Sequence, residues 1–242
     1  MSVLRKFVKP TPIPKCAAVL VAAGASARMG TDKILAEVGG MPVIARTVSV
    51  FEKAEGIDEI VIVARQESLV TVADICRQYG FQKVSKVICG GATRAESALA
   101  GVSEVREKTK LIAIHDGARP LVTEELIARC IAAAAANIAA APGLAPTDTV
   151  KLVDGKGTVV ETPDRSALML VQTPQVFNAS IIKGALTRAV ETKLAVTDDC
   201  SAVEALGVAV TVVPGEADNI KITAPRDLLL AELILRERGE LA

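Results

Sequence analysis

The sequence predicts an α/β fold with a doubly wound, mostly parallel sheet, because short apolar runs alternate with amphipathic segments along most of the chain. Half of the 242 residues are hydrophobic but only 2% are aromatic, so the core must be built from Val, Ile, Leu and Ala. Such an aliphatic core is typical of parallel strands that are buried on both faces. With right-handed crossovers, this alternation predicts a Rossmann-like arrangement.

Four short apolar runs predict buried strands, namely Cys16–Ala23, Glu59–Ala64, Lys83–Cys89 and Leu111–His115. Four segments between and after these strands have apolar residues at helical spacing and are predicted to form helices. They are Pro42–Phe51, Glu67–Tyr79, Thr93–Glu107 and Thr123–Ala136. Pro42 suits a first helical turn. Thr93 followed by Glu96 predicts a capping box, and Gly80 predicts the end of a helix.

The alternation breaks after Ala139, and a long stretch without a predicted helix follows. Within it, Thr149–Val153 and Thr158–Glu161 flank the turn Asp154-Gly155-Lys156-Gly157, which predicts a β-hairpin. An excursion of this length from a compact domain is usually functional or an interface. We therefore interpret residues 142–172 as a protruding β-arm.

The α/β pattern then resumes with two helices, a strand and a closing helix, predicted at Ala179–Val190, Cys200–Leu206, Val208–Val213 and Pro225–Arg238. Residues 1–15 are predicted to form a disordered or loosely ordered N-terminal arm, because prolines crowd its end. Residues 16–242 are then expected to form a single domain.

The balance of charge limits the partners that the protein is expected to bind. With 28 basic and 28 acidic residues, no broad basic field is expected to hold a nucleic acid or an anionic membrane. The most apolar run, Ile131–Ala141, is too short to span a bilayer. The five cysteines include no CxxC pair, which favours reduced thiols over a disulfide framework or a metal site. The sequence therefore predicts a cytoplasmic protein.

The first candidate binding segment follows the first strand. Ala22, Ala23 and Gly24 allow backbone amides to approach a phosphate chain closely, and Arg28 and Lys33 can offset its charge. The segment lacks the Gly-Lys-Ser/Thr of a Walker A loop and the second glycine of the dinucleotide-binding pattern. Taken alone, it leaves open a phosphate-binding loop and an ordinary charged turn.

A second candidate group follows the third and fourth strands and consists of Gly90, Gly91, Arg94, Ser97, Asp116, Gly117 and Arg119. Ligands of open α/β sheets bind beyond the carboxyl ends of the strands. Asp116 could accept hydrogen bonds from ribose hydroxyls or face a magnesium ion, and Ser97 could bind a pyrimidine edge. The structural alternative is a pair of tight turns with an Asp–Arg surface pair. His115, the single histidine, is expected to be a packed strand-end residue and not a catalyst.

Five segments in this order along the chain resemble the motifs of a known enzyme family. They are Ala-Ala-Gly…Arg-Met-Gly…Lys (22–33), Gly-Gly-Ala-Thr-Arg with the following serine (90–97), His-Asp-Gly-Ala-Arg-Pro (115–120), Thr-Pro-Gln (173–175) and Ala-Asp-Asn-Ile-Lys (217–221). Together they are similar to those of the 2-C-methyl-D-erythritol 4-phosphate cytidylyltransferases, nucleotidyltransferases of the non-mevalonate isoprenoid pathway. The resemblance extends from about Cys16 to Leu235.

The resemblance implies transfer of a cytidylyl group from CTP to a sugar-alcohol phosphate. It implies that Lys33 and Lys221 are the principal catalytic lysines, with Arg28 beside them, and that the region from Gly90 selects cytosine. The acceptor's own phosphate would be the nucleophile, because its second pKa is about 6 and it is largely ionised at neutral pH. The family usually has Ala at the position of Gly117.

On the acceptor side, the resemblance implies that Arg119, Thr149, Arg165 and Thr197 bind the sugar-alcohol phosphate. It also implies a homodimer in which the β-arm of one subunit reaches the site of the other. From the residues alone, Thr197 is equally a candidate helix N-cap. Mg²⁺, or another divalent cation, is expected to bridge phosphate oxygens, and the candidate protein ligands are Asp116 and Asp218.

Four other functions remain as alternatives. A ribitol-5-phosphate cytidylyltransferase would share the nucleotide site and change only the acceptor. A sugar-nucleotide pyrophosphorylase would usually have a longer glycine-rich loop and a second domain. A non-catalytic nucleotide-binding module would not need both Lys33 and Lys221. A dehydrogenase is disfavoured by the missing glycine pattern and by Arg65, which stands where an acidic residue is expected.

Overall fold

The computed structural model describes residues 14–24 and 32–241 of the chain. In these ranges the strands are β1 (Cys16–Val21), β2 (Glu37–Val38), β3 (Met41–Pro42), β4 (Ile57–Ala64), β5 (Val84–Cys89), β6 (Leu111–Asp116), β7 (Ala139–Leu144), β8 (Leu152–Val153), β9 (Val159–Glu161), β10 (Leu170–Val171), β11 (Gln175–Asn178) and β12 (Thr211–Pro214). The α-helices are α1 (Val43–Lys53), α2 (Leu69–Gln78), α3 (Arg94–Ser103), α4 (Glu124–Asn137), α5 (Ala179–Glu191), α6 (Asp199–Glu204) and α7 (Pro225–Glu237).

The main sheet confirms the predicted mostly parallel α/β fold. Its strand order is β10-β7-β11-β6-β1-β4-β5, and β12 also pairs with β7. Strands β6, β1, β4 and β5 are mutually parallel, as the alternation of apolar runs and helices predicts. Their carboxyl ends therefore lie along one edge, where the predicted binding segments follow the strands.

Alternate residues of the central strand β1 enter two different cores. Ala18 and Leu20 pack with residues of α1, α2 and α4, whereas Ala17 and Val19 pack with residues of α3, α5 and α6. Burial on both faces explains why β1 is a continuous apolar run. A third cluster holds α7 against Val38, Val43 and Leu121.

The sequence did not predict the antiparallel half of the sheet. Strand β11 lies between β6 and β7 and is antiparallel to both, and β10 is also antiparallel to β7. Strand β7 contains Pro142, which lacks an N–H donor, but its carbonyl accepts a hydrogen bond from Gln172 N at 2.7 Å. The chain therefore returns to the main sheet at β10, within the stretch where the alternation of apolar runs and predicted helices breaks.

The predicted hairpin forms at β8 and β9. The two strands pair antiparallel, with Val153 opposite Val159, and they are shorter than predicted. Asp154 Oδ1 accepts hydrogen bonds from Lys156 N at 2.8 Å and Thr158 N at 2.9 Å. Gly157 has a φ of +82°, a conformation that favours glycine.

Several predicted boundaries need correction. Helix α1 begins at Val43, because Pro42 belongs to β3. Helix α3 ends at Ser103, four residues before the predicted end, and β12 begins at Thr211 instead of Val208. The predicted capping box of α3 is confirmed, and Gly80 follows α2 with a φ of +68°.

Two further predictions concern the N-terminal arm and the cysteines. Most of the predicted N-terminal arm, residues 1–13, lies outside the described residues. All five cysteines are free, and only Cys89 is exposed. Within the described parts of the chain, no helix is both long and apolar enough to cross a membrane.

Candidate active site

A cavity of about 250 Å³ lies at the carboxyl ends of β1, β5 and β6. The predicted site residues that line it are Ala22, Ala23, Gly24, Lys33, Gly91, Arg94, Ser97, Asp116 and Lys221. These residues come from five separate parts of the sequence, which the fold brings to one place. Arg28, which the sequence also predicts for this site, lies outside the described residues.

Lys33 reaches the cavity from a short turn that is anchored on both sides. Asp32 Oδ1 accepts a hydrogen bond from Ile34 N at 3.3 Å, and the same carboxylate pairs with Arg65 at the end of β4. Ile34 is buried, and its carbonyl accepts from Ile44 N at 2.9 Å. A dinucleotide-binding site would require an acidic residue at the position of Arg65. Here Arg65 instead helps to fix the turn that bears Lys33.

The turn after β5 is closely packed against β1. A Cβ atom added to Gly90 would lie 2.6 Å from Ala23 Cβ and 2.8 Å from Ser97 Oγ, so only glycine fits there. Ser97 Oγ donates to Thr93 O at 2.9 Å and accepts from Gly91 N at 3.2 Å. In this structure the Ser97 hydroxyl shapes the turn that faces the cavity.

Helix α3 begins at this cavity with a complete capping box. Glu96 N donates to Thr93 Oγ1 at 3.1 Å, and the Glu96 carboxylate accepts from Ala92 N at 2.7 Å and from Thr93 N at 3.2 Å. The cap fixes the backbone of Ala92 and Thr93 along the cavity wall.

Asp116 lies at the centre of a cluster of cations. Its Oδ2 atom is 2.9 Å from Lys221 Nζ and 3.5 Å from Arg119 Nε, and its Oδ1 atom is 3.7 Å from Arg94 Nη2. Burial alone would raise the pKa of Asp116, but the positive charges of Lys221, Arg94 and Arg119 outweigh burial and hold that pKa well below its usual range. The carboxylate is therefore ionised throughout the physiological range.

Lys221 is brought to Asp116 by contacts of its own segment. Ile222 N donates to Ala118 O at 2.8 Å, and Ile222 is fully buried in the cluster beside α7. Arg119 Nη1 donates to Asn219 O at 2.7 Å. Two bonds between the loop after β6 and residues 219–222 thus set the position of the lysine.

His115 is packed at the end of β6, as the sequence predicts. It is fully buried, and its ring lies 4.9 Å from that of Phe51. Burial lowers the pKa of His115 to about 4, so the ring is neutral at physiological pH.

The hydrogen bonds of the neutral ring determine its tautomer. His115 Nε2 lies 3.2 Å from Arg119 O, which can only accept, so Nε2 carries the proton. Nδ1 then accepts from Thr173 Oγ1 at 2.9 Å, and Thr173 Oγ1 in turn accepts from Asp116 N at 3.1 Å. His115 and Thr173 together fix both ends of the loop that presents Asp116 and Arg119.

The remaining predicted acceptor residues do not line the cavity of their own chain. Thr149 and Arg165 are exposed near the hairpin, and Arg165 Nη1 donates to Thr147 O at 2.7 Å. Thr197 is exposed and precedes α6, but it is not the N-cap of that helix. The N-cap is Asp198, whose side chain accepts from Ser201 N at 2.9 Å. Gly117, beside Asp116, donates from its backbone N to Val21 O at 2.9 Å.

The two predicted metal ligands occupy different surroundings. Among the described residues that line the cavity, only Asp116 is acidic. Asp218 does not line it and pairs with Arg238 at 3.3 Å. Among the residues that the structure describes, no three His, Cys, Asp or Glu side chains form a metal-binding group.

The sequence model of the 2-C-methyl-D-erythritol 4-phosphate cytidylyltransferase (IspD) family matches residues 16–237. The chain belongs to this family. A relative of that name from Caldanaerobacter subterraneus subsp. tengcongensis is 40% identical over 223 residues, which cover 91% of this chain and 98% of the relative. Another from Alkaliphilus metalliredigens is 40% identical over 229 residues, covering 93% and 95% of the two chains.

A solved structure supports the same relationship at the level of the fold. The crystal structure of 4-diphosphocytidyl-2C-methyl-D-erythritol synthase from Anaerococcus prevotii is similar to this chain with a TM-score of 0.83 at 32% sequence identity. The match covers 93% of this chain and 97% of that protein. The similarity to the cytidylyltransferase family therefore includes nearly the whole fold.

In this member of the cytidylyltransferase family, the residues that hold the site residues in place were not predicted from the sequence. Thr173 stands inside a motif that carries the resemblance, yet it had no predicted role. Gln175 and Asp199 are buried, and their contacts join segments that are far apart in the sequence. The signal that could have indicated these residues was the presence of polar side chains in short motifs, because a polar group that becomes buried needs a hydrogen-bond partner.

Proposed function

We propose that this protein transfers the cytidylyl group of CTP to 2-C-methyl-D-erythritol 4-phosphate, giving 4-diphosphocytidyl-2-C-methyl-D-erythritol and pyrophosphate. Membership of the family over residues 16–237 is the observation that carries the proposal. The cavity supports it, since its described lining residues include three cations, Lys33, Arg94 and Lys221, and one carboxylate, Asp116. Such an excess of positive charge suits a triphosphate.

CTP is proposed to bind along the carboxyl edge of the sheet. Backbone groups of Ala22, Ala23 and Gly24 would approach the phosphates, and the turn from Gly90 to Ser97, with Arg94 at the start of α3, would face the nucleoside. Asp116, with Gly117 beside it, would accept from the ribose hydroxyls. The small residues support this arrangement because they leave the backbone accessible to a ligand.

The reaction is proposed to be a direct displacement at the α-phosphorus. A phosphate oxygen of the acceptor attacks the α-phosphorus of CTP and forms a new P–O–P bond. The bond from the α-phosphorus to the bridging oxygen of the β-phosphate breaks, and its electron pair leaves with pyrophosphate. Lys33 and Lys221, with Arg28, would stabilise the negative charge that builds up on the reacting phosphates. Arg119 and Thr197 would hold the acceptor.

A divalent cation, with Mg²⁺ as the proposed ion, would neutralise charge on the phosphates. Mg²⁺ in such sites is usually held by one or two carboxylates together with substrate phosphates. The donor set of the cavity fits that description, because Asp116 offers one carboxylate and the phosphates would supply the other oxygens. Asp218 is the weaker candidate because it does not line the cavity.

A cytoplasmic homodimer is proposed, in which the hairpin of each subunit completes the site of the other. The apolar side chains of the hairpin support this, since Val153, Val159 and Val160 are 56%, 53% and 69% exposed. Adjacent exposed apolar residues commonly mark a protein interface. Thr149 and Arg165 would then contact the acceptor bound to the partner subunit.

Pyrophosphate release by the purified protein with CTP and Mg²⁺ tests the function. We expect rapid release with 2-C-methyl-D-erythritol 4-phosphate, none with ribitol 5-phosphate, and a loss of at least about a hundredfold in Lys33→Ala. Release with ribitol 5-phosphate alone would instead identify ribitol 5-phosphate as the acceptor. Absence of release with either acceptor would contradict the proposed activity and favour a nucleotide-binding module.

A further inference from the structure

We propose that the ion pair between Arg94 and Asp199 couples the nucleotide side of the site to the acceptor side, with Arg94 as a positioning residue. The inference rests on the proposed function, and it assigns a role to Asp199 and a second role to Arg94 beyond facing CTP. Arg94 lines the cavity, whereas Asp199 lies behind it at the start of α6.

The pair has the geometry of a rigid connection. Arg94 Nη1 donates to Asp199 Oδ1 at 2.8 Å, and Nη2 donates to Oδ2 at 2.7 Å. Two parallel bonds between planar groups fix orientation as well as distance. The two residues are 105 positions apart in the sequence, so the pair joins segments that the local chain does not connect.

The burial of the pair makes it costly to break. The Asp199 side chain is only 1% exposed, whereas that of Arg94 is 31% exposed. Removing the guanidinium would leave an ionised carboxylate without its counter-charge in the interior, which is strongly unfavourable. Asp199 therefore keeps Arg94 in one position, and Arg94 keeps the start of α6 in place.

On the nucleotide side, Arg94 is the first residue of α3 and directly follows Thr93. The capping box holds this helix start, and Gly91 and Thr93 also line the cavity. Arg94 therefore lines the cavity together with the turn that precedes it. Arg94 Nη2 is also 3.7 Å from Asp116 Oδ1, which extends the connection to the end of β6.

On the acceptor side, Asp199 belongs to a segment that is held at its backbone. Gln175 Oε1 accepts from Asp199 N and from Cys200 N, both at 3.1 Å, and Gln175 Nε2 donates to Asp198 Oδ2 at 2.8 Å. Thr197, the proposed acceptor contact, stands immediately before this clamped segment. A shift of Asp199 would therefore move Thr197 with it.

The consequence is a thermodynamic link between the two ligands. CTP bound at the turn of α3 would further stabilise the paired arrangement of Arg94 and Asp199, and this pair holds the segment that receives the acceptor. Linkage requires the effect to be reciprocal, so the acceptor would also strengthen the binding of CTP. Lysine cannot replace arginine in this role, because an ammonium group cannot form the two parallel bonds.

The test compares Arg94→Lys, Asp199→Asn and the double variant with the wild-type enzyme. For Asp199→Asn, which does not line the cavity, we expect the KM for the acceptor to rise by about tenfold while the Kd for CTP changes less than about threefold. Arg94→Lys, which also alters a residue that faces CTP, should raise the KM for the acceptor by the same factor. The double variant should be no worse than the poorer single variant, because both changes break one connection. CTP binding is measured by calorimetry, and KM by pyrophosphate release.

The matched control is Arg106→Lys, which makes the same change in another arginine that contacts a buried carboxylate. Arg106 Nε lies 3.6 Å from Glu59 Oε1, at the opposite end of the sheet from the cavity. It should leave both KM and Kd unchanged. Urea unfolding of each variant separates a folding defect from a positioning defect, and Asp199→Asn provides the same test if Arg94→Lys does not fold.

Two results would overturn the proposal. One is an Arg94→Lys variant that weakens CTP binding by tenfold with an unchanged acceptor KM, which would make Arg94 a CTP ligand only. The other is a pair of single variants whose effects on the acceptor KM multiply in the double variant. A wild-type enzyme without pyrophosphate release would instead contradict the proposed function itself.

Discussion

At the residue scale, one buried carboxylate with three nearby cations organises the candidate active site. Lys221, Arg94 and Arg119 all lie within 4 Å of Asp116, so each cation is held by a partner that cannot easily protonate. Positive charge fixed before the substrate arrives is what an α-phosphorus displacement requires.

Lys221→Met should lower kcat/KM by about a hundredfold or more, because it removes a cation from the reacting phosphates. It should also raise the pKa of Asp116, since the nearest positive charge is lost and burial remains. The acid limb of the pH–rate profile should therefore move to higher pH. Lys108→Met, at an exposed position away from the cavity, is the control. An unchanged profile in Lys221→Met would contradict this account of Asp116.

His115 offers a direct test of the buried network, because it is the single histidine and gives an unambiguous NMR signal. Its folded pKa of about 4 lies below the ordinary value of 6.5, so the folded ring should not titrate between pH 8 and pH 5. The unfolded chain takes up the proton first as pH falls. The free energy of unfolding should therefore decrease from about pH 6.5 towards pH 4, by up to about 3 kcal/mol. A folded ring that titrates near 6.5 would contradict the assigned tautomer network.

At the scale of elements, the start of α3 combines a structural and a binding role. Thr93→Ala removes the N-cap and should lower the free energy of unfolding by about 1 kcal/mol. It should also weaken CTP binding, because Thr93 lines the cavity. Asn178→Ala removes the N-cap of α5, whose side chain accepts from Ser180 N and Ile181 N, and serves as the control. Equal losses of stability with equal CTP affinity in the two variants would show that the cap has no part in binding.

Local signals in the sequence predicted the elements whose structure is locally determined. The apolar runs of β1, β4, β5 and β6, the Thr93–Glu96 capping box and the glycine after α2 each depend on neighbouring residues. Strand β11 has only four residues and pairs with β6 and β7, which are distant in the sequence. Its pairing depends on tertiary contacts, and no periodicity in so short a segment could reveal it.

The same distinction applies to the candidate site. The sequence placed Lys33, Asp116 and Lys221 on segments that the fold does bring to one cavity. It did not predict that Arg94 would pair with Asp199, or that Thr173 would bond His115 and the Asp116 backbone. Partner choice between buried polar groups depends on the packed structure, so it cannot be derived from residue type alone.

At the scale of the whole molecule, the exposed hairpin predicts that a complete site needs two subunits. A Lys33→Ala subunit should keep a working arm, and an Arg165→Ala subunit should keep a working cavity. Each variant alone should be nearly inactive. Mixing them with subunit exchange should restore about a quarter of wild-type activity, because half of the dimers are mixed and each has one intact site. Failure to restore activity, with dimers confirmed by light scattering, would contradict a shared site.

The proposed attack of an acceptor phosphate oxygen on the α-phosphorus of CTP is open to a direct isotope measurement. The acceptor is prepared with ¹⁸O in its non-bridging phosphate oxygens and is incubated with CTP, Mg²⁺ and the wild-type protein. We expect mass spectrometry to find all of the label in the cytidylylated product and none in the released pyrophosphate. Label in the pyrophosphate, or no cytidylylated product, would contradict it.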